Sequence, residues 1–415
     1  MKTQAISDYI YCVHVDIQTT DLFEGIWPIP KGVSLNCYLV KGEKTAFIDL
    51  FRDWNGAAAQ AEEALAAAGM GFDEIDYLIL NHLEPDHTGW LREFREKNPK
   101  AEIIATAKGI ELVKSFYKIE SGLRAVKDGD TLDLGGGRVL TFFETPNVHW
   151  PETMVTWEPQ AGVLFSCDAF GAFGALGEKV FDDEYSLAEH AFFESETLRY
   201  YANIVSSFSV FVERAIQKLS TLDIRCVAPS HGIVWRKKPE VIIERYSRYA
   251  SYAKGNTEKE IAVIWGSMYG NTKAGVDAVI RGIEAGGVPC TCRRVPDENV
   301  SWVLADAYKA GALVLAMPTY EYAMFPPMAY VLDIFRRKHI FGKKVLRIGS
   351  WGWAGGAKKD YEAAITSLKW DSLEPVEWAG YPGPEDLALL EERGRELALA
   401  VKGGGGVEGL EDGGL

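Results

Sequence analysis

A short segment of the chain, residues 81–87, concentrates side chains that bind metal ions. It follows the apolar run Tyr77–Leu80, which is typical of a buried strand, and loops at strand ends commonly carry functional groups. Pro85 disfavours a helical conformation at the residue before it, so we expect extended or turning backbone. Alternation along that backbone would place the first three ligands on one side and the fourth at the turn. The ligands are His82, Glu84, Asp86 and His87.

Three more candidate ligands follow other predicted strands. His149 comes after the run Val139–Glu144, Asp168 ends the run from residue 163, and His231 follows residues 226–230. A single histidine at a strand end is most often a satisfied polar residue. Several buried ionisable groups together are costly unless they coordinate something. Four histidines and three carboxylates suit two metal ions that share one bridging carboxylate.

The second half of the chain opens with a strand, a loop and a helix that suit a bound phosphate. The loop lacks the lysine of a triphosphate-binding loop and the spacing of a dinucleotide fingerprint. The phosphate of a flavin mononucleotide fits, although a turn without chemical purpose would fit equally well. The predicted hydroxyl donors are Ser267 and Thr272. The candidate binding residues are Ser267, Met268, Tyr269, Gly270, Asn271 and Thr272.

Two further loops at predicted strand ends favour a flavin. Open α/β sheets bind ligands at the carboxyl edge of their strands. Aromatic side chains offer flat surfaces for an isoalloxazine ring, and glycines let the backbone approach it. The first loop contributes Pro318, Thr319, Tyr320, Glu321 and Tyr322, and the second Ser350, Trp351, Gly352, Trp353 and Gly355.

The predicted elements divide the chain into two α/β domains. Strands mixed with a few helices extend to about Tyr252, and a polar segment with a glycine follows at residues 254–257. Beyond it, strands and helices alternate regularly, which indicates a parallel sheet covered by helices on both faces. We therefore predict domains at residues 1–253 and 258–402. Residues 403–415 are rich in glycine and acidic residues, so we expect a disordered tail.

The metal-binding residues resemble those of the metallo-β-lactamase fold, and specifically of the flavodiiron proteins. Hydrolases of that fold carry H-x-H-x-D-H, with a histidine at the position of Glu84. A carboxylate there favours iron over zinc. The resemblance implies a metallo-β-lactamase-like αββα sandwich followed by a flavodoxin-like doubly wound parallel sheet. No catalytic residue beyond the metal ligands is assigned.

The resemblance also implies how the ligands are shared and what they do. One iron would be held by His82, Glu84 and His149, the other by Asp86, His87 and His231, with Asp168 between them. FMN in the second domain would supply electrons for the reduction of dioxygen to water, of nitric oxide to nitrous oxide, or both. A pocket histidine that many relatives carry near Glu24 is missing, which leaves the preference between the gases open.

Partners follow from the same resemblance. The family solves the separation of flavin and irons with a head-to-tail homodimer, so we expect a dimer or a dimer of dimers. Among the six cysteines there is no C-x-x-C pair, which argues against a rubredoxin-type site in this chain. We therefore expect a separate electron donor, either rubredoxin or a reduced deazaflavin.

Composition excludes other classes of function. A formal charge of −15 argues against nucleic-acid binding. There is no apolar run long enough to span a bilayer and no signal peptide, so we expect a cytoplasmic protein. Two alternatives stay open: a zinc hydrolase of the same fold with a flavin sensor domain, and an electron carrier whose first half has lost its metal.

Overall fold

A computed structural model of the protein describes residues 3–403. Contacts between Cα atoms divide the chain into two compact units, one up to Ser247 and one from Arg248 onward. The predicted domain limits remain predictions, because they lie a few residues further along the chain. Except for Gly403, the predicted tail lies outside the described residues. No helix within residues 3–403 is long and apolar enough to cross a bilayer.

The first unit contains two sheets whose strands are neighbours in chain order. Its first sheet is antiparallel over the first four strands and parallel over the rest. The strands are β1 (Gln4–Ala5), β2 (Ile10–Ile17), β3 (Val33–Lys41), β4 (Thr45–Ile48), β5 (Tyr77–Ile79), β6 (Glu102–Thr106) and β7 (Leu123–Val126). A separate hairpin, Leu22–Phe23 with Trp27–Pro28, connects β2 to β3.

The second sheet is antiparallel except for its last pair. Its strands are β8 (Thr131–Asp133), β9 (Val139–Glu144), β10 (Met154–Glu158), β11 (Val163–Cys167) and β12 (Cys226–Pro229). The helices of this unit are α1 (Ala57–Ala67), α2 (Pro85–Thr88), α3 (Leu91–Lys97), α4 (Ala107–Tyr117), α5 (Leu187–Tyr200), α6 (Ser209–Leu219) and α7 (Pro239–Tyr252), the last of which ends in the second unit. A π-helical turn, Tyr201–Val205, follows α5.

The two sheets pack face to face, with helices outside them. Between them the Tyr38 and Phe165 rings lie 5.1 Å apart, and the Tyr38 hydroxyl donates to the carbonyl of Pro229. Strands β3 to β5 and β10 to β12 are buried along nearly their whole length, as in sheets covered on both faces. The predicted αββα sandwich is confirmed.

The second unit is a parallel sheet with helices on both faces, as predicted. Its strands are β13 (Glu258–Trp265), β14 (Cys290–Arg294), β15 (Ala310–Ala316), β16 (Lys344–Trp351), β17 (Asp371–Ser372) and β18 (Val376–Ala379), in the spatial order β14–β13–β15–β16, after which β17 and β18 both pair with β16. Its helices are α8 (Asn271–Ala285), α9 (Val300–Lys309), α10 (Pro326–Arg337), α11 (Ala357–Ile365) and α12 (Pro384–Lys402).

Glycines allow α8 and α12 to pack closely on one face of this sheet. A Cβ atom on Gly282 would lie 1.9 Å from the carbonyl oxygen of Glu391, and one on Gly394 would lie 2.2 Å from that of Val279. Neither position can hold a larger side chain without moving the backbone.

Candidate metal centre and cofactor loops

All the predicted metal ligands lie just beyond strands of the first unit. His82 and Glu84 follow β5, and His149 lies between β9 and β10. Asp168 directly follows β11, and His231 comes two residues after β12. Because the two sheets face each other, these loops meet at one end of the sandwich.

The backbone of the first ligand segment differs in part from the prediction. Glu84 is extended as expected, with φ −59° and ψ 140°, but Pro85–Thr88 form one helical turn rather than extended chain. Proline is favoured at the first position of a helix, so the residue that excludes helix before it also starts the helix after it. Asp86 and His87 are therefore ligands on a helical turn.

One group of donor atoms gathers around Glu84. The Oε2 atom of Glu84 lies 3.0 Å from Nε2 of His149 and 3.3 Å from Nε2 of His82. Asp168 joins this group through Oδ2, which lies 3.2 Å from His149 Nε2 and 3.6 Å from His82 Nε2. Donor atoms of these four residues all lie within 4.8 Å of one another.

A second group lies on the other side of Asp168. Its Oδ1 atom is 2.8 Å from Nε2 of His87 and 3.4 Å from Nε2 of His231. The Oδ2 atom of Asp86 lies 3.5 Å and 3.2 Å from the same two nitrogens. Each oxygen of Asp168 thus faces a different group of ligands.

The ionisation of these groups reflects their proximity. Burial alone would lower the pKa of His149, but hydrogen bonds with Asp168 and Glu84 raise it to about 9. In the same way Asp168 and Asp86 raise the pKa of His231 to about 10 despite its burial. Burial would raise the pKa of Glu84, yet His149 and His82 lower it to about 2. Glu84 is therefore ionised at neutral pH.

The Nδ1 atoms of two histidines are occupied by partners away from the centre. His82 Nδ1 lies 2.9 Å from Glu152 Oε1, which also accepts a hydrogen bond from the backbone N–H of Leu83. His231 Nδ1 lies 2.8 Å from the carbonyl oxygen of Ser34. Partners of this kind set the orientation of a ligating imidazole and leave Nε2 for the metal.

Aromatic rings enclose the second group of ligands. The rings of Phe23 and Tyr200 lie 5.6 Å and 5.7 Å from that of His231. The Tyr200 hydroxyl is buried and has no hydrogen-bond partner within the described residues. Burial raises the pKa of this hydroxyl well above its ordinary value, and the charge of Asp168 adds to the effect. It is therefore protonated at all physiological pH values.

Residues with positive φ cluster around the ligands. Cys167 and Phe170, with φ of 51° and 70°, flank Asp168, and Asn147, with φ of 64°, precedes His149 by two residues. Such conformations are costly for non-glycine residues and occur preferentially at functional sites.

Sequence reasoning missed Glu152, Tyr200 and Ser34. Glu152 could have been noticed as an acidic residue three positions after His149. Tyr200 lies in a long helical stretch without a motif, and Ser34 contacts His231 through its backbone carbonyl. The position near Glu24 carries no histidine, and Glu24 Oε2 accepts a hydrogen bond from the Trp27 indole.

The donor set fits a pair of metal ions. Four imidazoles and three carboxylates, nearly all buried, converge through Nε2 and carboxylate oxygens. A mixture of imidazole nitrogens and carboxylate oxygens suits iron. Structural zinc sites typically have thiolate-rich ligand sets instead. Without ions, the buried Asp168 and the partly buried Glu84 and Asp86 would depend on protonated histidines for compensation.

The predicted cofactor loops of the second unit meet at the carboxyl edge of its sheet. The Thr272 hydroxyl pairs with the Ser350 hydroxyl at 2.8 Å, and both residues are buried. The backbone N–H of Gly270 donates to Ser267 Oγ. The Thr272 hydroxyl, which the sequence predicts as a phosphate donor, therefore also contacts Ser350.

Aromatic side chains and glycines of these loops are exposed to solvent. Tyr269 is 91% exposed, Trp353 77% and Tyr322 66%. Nothing lies within 4 Å of a Cβ built on Gly352 or Gly355. An open edge with flat apolar rings and accessible backbone fits a planar cofactor.

A strained hairpin turn lies in the loop that begins at Pro318. Thr319–Tyr320 pairs with Ala323–Met324, and the two residues between, Glu321 and Tyr322, have φ of 45° and 64°. This turn normally requires glycine or asparagine, so the strain indicates a functional demand on the loop.

Comparison with known proteins identifies relatives of the first unit and of the whole chain. The family described as ODP family beta lactamase matches residues 33–232. The nitric oxide reductase of Moorella thermoacetica is 31% identical over 96% of this chain and 98% of its own length.

Solved structures resemble the chain over nearly its whole length. The rubredoxin oxygen:oxidoreductase of Desulfovibrio gigas has a TM-score of 0.90 at 26% identity, covering 97% of this chain and 99% of its own. The flavodiiron protein of Giardia intestinalis has a TM-score of 0.90 at 27% identity, covering 97% of each chain.

Proposed function

The chain belongs to the flavodiiron protein family, and on that premise we propose that it reduces dioxygen to water, nitric oxide to nitrous oxide, or both. The reaction would take place at a non-haem diiron centre that receives electrons from FMN. The observation that supports this most directly is the position of Asp168, whose two oxygens face separate groups of ligands.

The residues would divide between two irons as the geometry suggests. His82, Glu84 and His149 would hold one ion, and Asp86, His87 and His231 the other, with Asp168 bridging. When bound, the iron pair supplies electrons to a small molecule at open coordination positions. Seven protein ligands for two ions leave such positions available.

Both reductions consume protons as well as electrons. Dioxygen requires four of each to form two waters, and two nitric oxide molecules require two of each to form nitrous oxide and water. Tyr200, protonated and unpartnered beside His231, can donate a hydrogen bond to a substrate oxygen. Phe23 and Tyr200 limit the access of water to that side of the site.

FMN would bind at the edge formed by the three loops of the second unit. Residues Ser267 to Thr272 would receive the phosphate at the start of α8, and the exposed rings of Trp353 and Tyr322 would contact the isoalloxazine. The absence of a dinucleotide fingerprint favours the mononucleotide.

The electron donor and the assembly are inferred from the family. A rubredoxin-type donor is supported by the name of the Desulfovibrio gigas relative, with reduced deazaflavin as the other candidate. A head-to-tail homodimer, or a dimer of dimers, would let the flavin of one subunit serve the irons of its partner.

A zinc hydrolase with a flavin sensor is the less favoured alternative. Glu84 stands where such hydrolases carry a histidine, and the relatives with the same architecture are named as reductases. Metal analysis of the purified protein separates the two, because the hydrolase would contain zinc.

The decisive experiment is anaerobic stopped-flow of the fully reduced protein, mixed separately with dioxygen and with nitric oxide after iron and flavin have been quantified. Flavin reoxidation much faster than that of free reduced flavin by at least one gas is expected. A gas that gives no acceleration is not the substrate. If neither gas accelerates it, the first unit is not catalytic and the chain is an electron carrier.

A further inference from the structure

A small cavity lies in the first unit on the outer side of the second sheet. Strand β10 contributes Val155, whose neighbour Thr156 faces the other sheet through a hydrogen bond with Asn81. Helix α6 closes the cavity with Val212 and Ile216. Tyr246 of α7 completes that wall.

The cavity adjoins the loops that carry two of the metal ligands. Val148 and Ala169 line it, and they are the direct chain neighbours of His149 and Asp168. Phe170, one of the positive-φ residues beside Asp168, also lines it. The backbone conformation that orients the bridging carboxylate therefore also shapes this cavity.

The lining is almost wholly apolar. Two polar side chains, those of Thr145 and Tyr246, border the cavity. The hydroxyl of Tyr246 already donates to the carbonyl oxygen of Gly171. The hydroxyl of Thr145 is buried and has no partner within the described residues. A buried water needs two to four polar partners, so a single hydroxyl holds one poorly.

The size of the cavity limits its occupant to one small molecule. Its volume is about 10 Å³, close to the smallest space that holds a single water-sized molecule. A flavin, a peptide or an organic substrate is excluded. Apolar cavities of proteins stay dry and bind apolar molecules such as xenon.

We propose that this cavity holds one molecule of an apolar diatomic gas, dioxygen or nitric oxide, beside the ligand loops. The proposal rests on the proposed function, since it gives the gas substrate a waiting position in the same unit. Diatomic gases dissolve better in apolar surroundings than in water. The cavity would raise the local concentration of gas next to His149 and Asp168 when the gas is scarce.

Xenon tests the binding site without any turnover. Crystals of the complete protein are pressurised with xenon, and one anomalous peak is expected between Thr145, Val155 and Ile216. In Ala215→Leu, which adds bulk to the α6 wall, the peak should disappear. In Gln217→Leu, which adds the same side chain at an exposed position of α6, it should persist.

A second variant, which enlarges the cavity, keeps the proposal testable even if Ala215→Leu fails to fold. Val212→Ala removes two methyl groups from the wall and should increase xenon occupancy relative to the native protein. Absence of xenon from this site in both the native protein and Val212→Ala would overturn the proposal.

Gas kinetics then connect the site to turnover. In Ala215→Leu the gas concentration for half-maximal rate should rise at least threefold, with the rate recovering as gas pressure is increased, while Gln217→Leu behaves as the native protein. An unchanged half-maximal concentration in Ala215→Leu would overturn the role in supplying gas. A native protein that binds xenon but consumes neither gas would instead contradict the proposed function.

Discussion

Oε1 of Glu152 lies 2.9 Å from Nδ1 of His82, on the side of the imidazole that faces away from the other ligands. The same oxygen accepts the backbone N–H of Leu83, so one carboxylate orients both the ring and the segment that carries it. Glu152 is 2% exposed, and its other oxygen has no partner within the described residues. We interpret Glu152 as a positioning residue for His82.

Glu152→Ala should weaken iron binding by about 10- to 100-fold, the usual effect of removing such a partner. Glu152→Gln retains an oxygen acceptor and should lose less. The measurement is the rate at which iron passes to a chelator, followed by absorbance. Glu93→Gln, at an exposed position of α3, is the control. Equal rates in Glu152→Ala and the native protein would contradict the assignment.

Asp168→Asn should leave the chain with fewer than two irons, because an amide offers only one oxygen to ions on both sides. Turnover should fall by at least about 100-fold, as expected when the reacting centre is lost, while bound flavin stays near native levels. Iron by mass spectrometry and flavin by absorbance give both quantities. Asp223→Asn, with its side chain 86% exposed, is the matched control. Two irons with full activity in Asp168→Asn would refute the bridging role.

Metal uptake should release protons at neutral pH. In the metal-free protein the pKa values of His149 and His231 are about 9 and about 10, above the ordinary value of 6.5. Both are charged at pH 7 and must lose a proton to expose Nε2. Titration of metal-free protein with ferrous ion in a weakly buffered indicator should therefore release about two protons or more per chain, with affinity increasing up to about pH 10. No release would mean that the histidines are neutral before the metal binds.

The same pKa shifts give the metal-free protein a distinctive pH dependence. A raised histidine pKa contributes stability that is complete below about pH 6.5 and is lost as the pH rises through 9 to 10. The lowered pKa of Glu84 contributes stability that is present above its ordinary value of 4.5 and is lost as the pH falls towards 2. Urea unfolding across this range should show the greatest stability between about pH 5 and pH 7. A maximum above pH 9 would contradict these shifts.

Tyr200→Phe should reduce turnover by about 2- to 10-fold without loss of iron, because one hydrogen bond to a substrate oxygen is worth about 0.5 to 1.5 kcal/mol. Turnover at saturating gas and iron content are measured together. Tyr185→Phe removes a hydroxyl that instead donates to the carbonyl oxygen of Lys179, and it should leave turnover unchanged. Native turnover in Tyr200→Phe would show that the hydroxyl does not contact the substrate.

Trp353→Ala should weaken FMN binding by about 3- to 10-fold, since stacked aromatic pairs contribute about 0.5 to 1.5 kcal/mol. Fluorescence titration of flavin-free protein measures this affinity. Tyr330→Ala removes an exposed aromatic side chain from α10, outside the predicted binding residues, and serves as the control. Equal affinity in both variants would exclude Trp353 from the flavin contact.

The sequence was most informative where chemistry demands particular residue types at short spacing. The ligand segment from His82 to His87 could be identified directly from the sequence. The same holds for the strand ends that carry His149, Asp168 and His231. Their grouping around Asp168 came from the family resemblance, because pairing across loops depends on the packing of two sheets. Contacts made by backbone or by one hydroxyl, such as those of Ser34 and Tyr200, leave no pattern in a single sequence.

Local backbone was predicted less well than ligand identity. The extended Glu84 followed from Pro85, but the helical turn at Asp86 and His87 did not. Thr272 pairs with Ser350, which lies on a strand nearly eighty residues away, and no local pattern predicted this contact. Such pairings are decided by long-range packing, which local propensity does not encode.

The ligands of the metal pair lie on loops between residues 82 and 231, and these loops follow strands of both sheets. Two bound ions would therefore act as a cross-link between the two sheets at one end of the sandwich, joining segments that lie far apart in the sequence. Any ligand that binds only the folded state stabilises it. Iron supply would thus control the lifetime of the first unit as well as its activity, and iron-starved chains would be the first to be degraded.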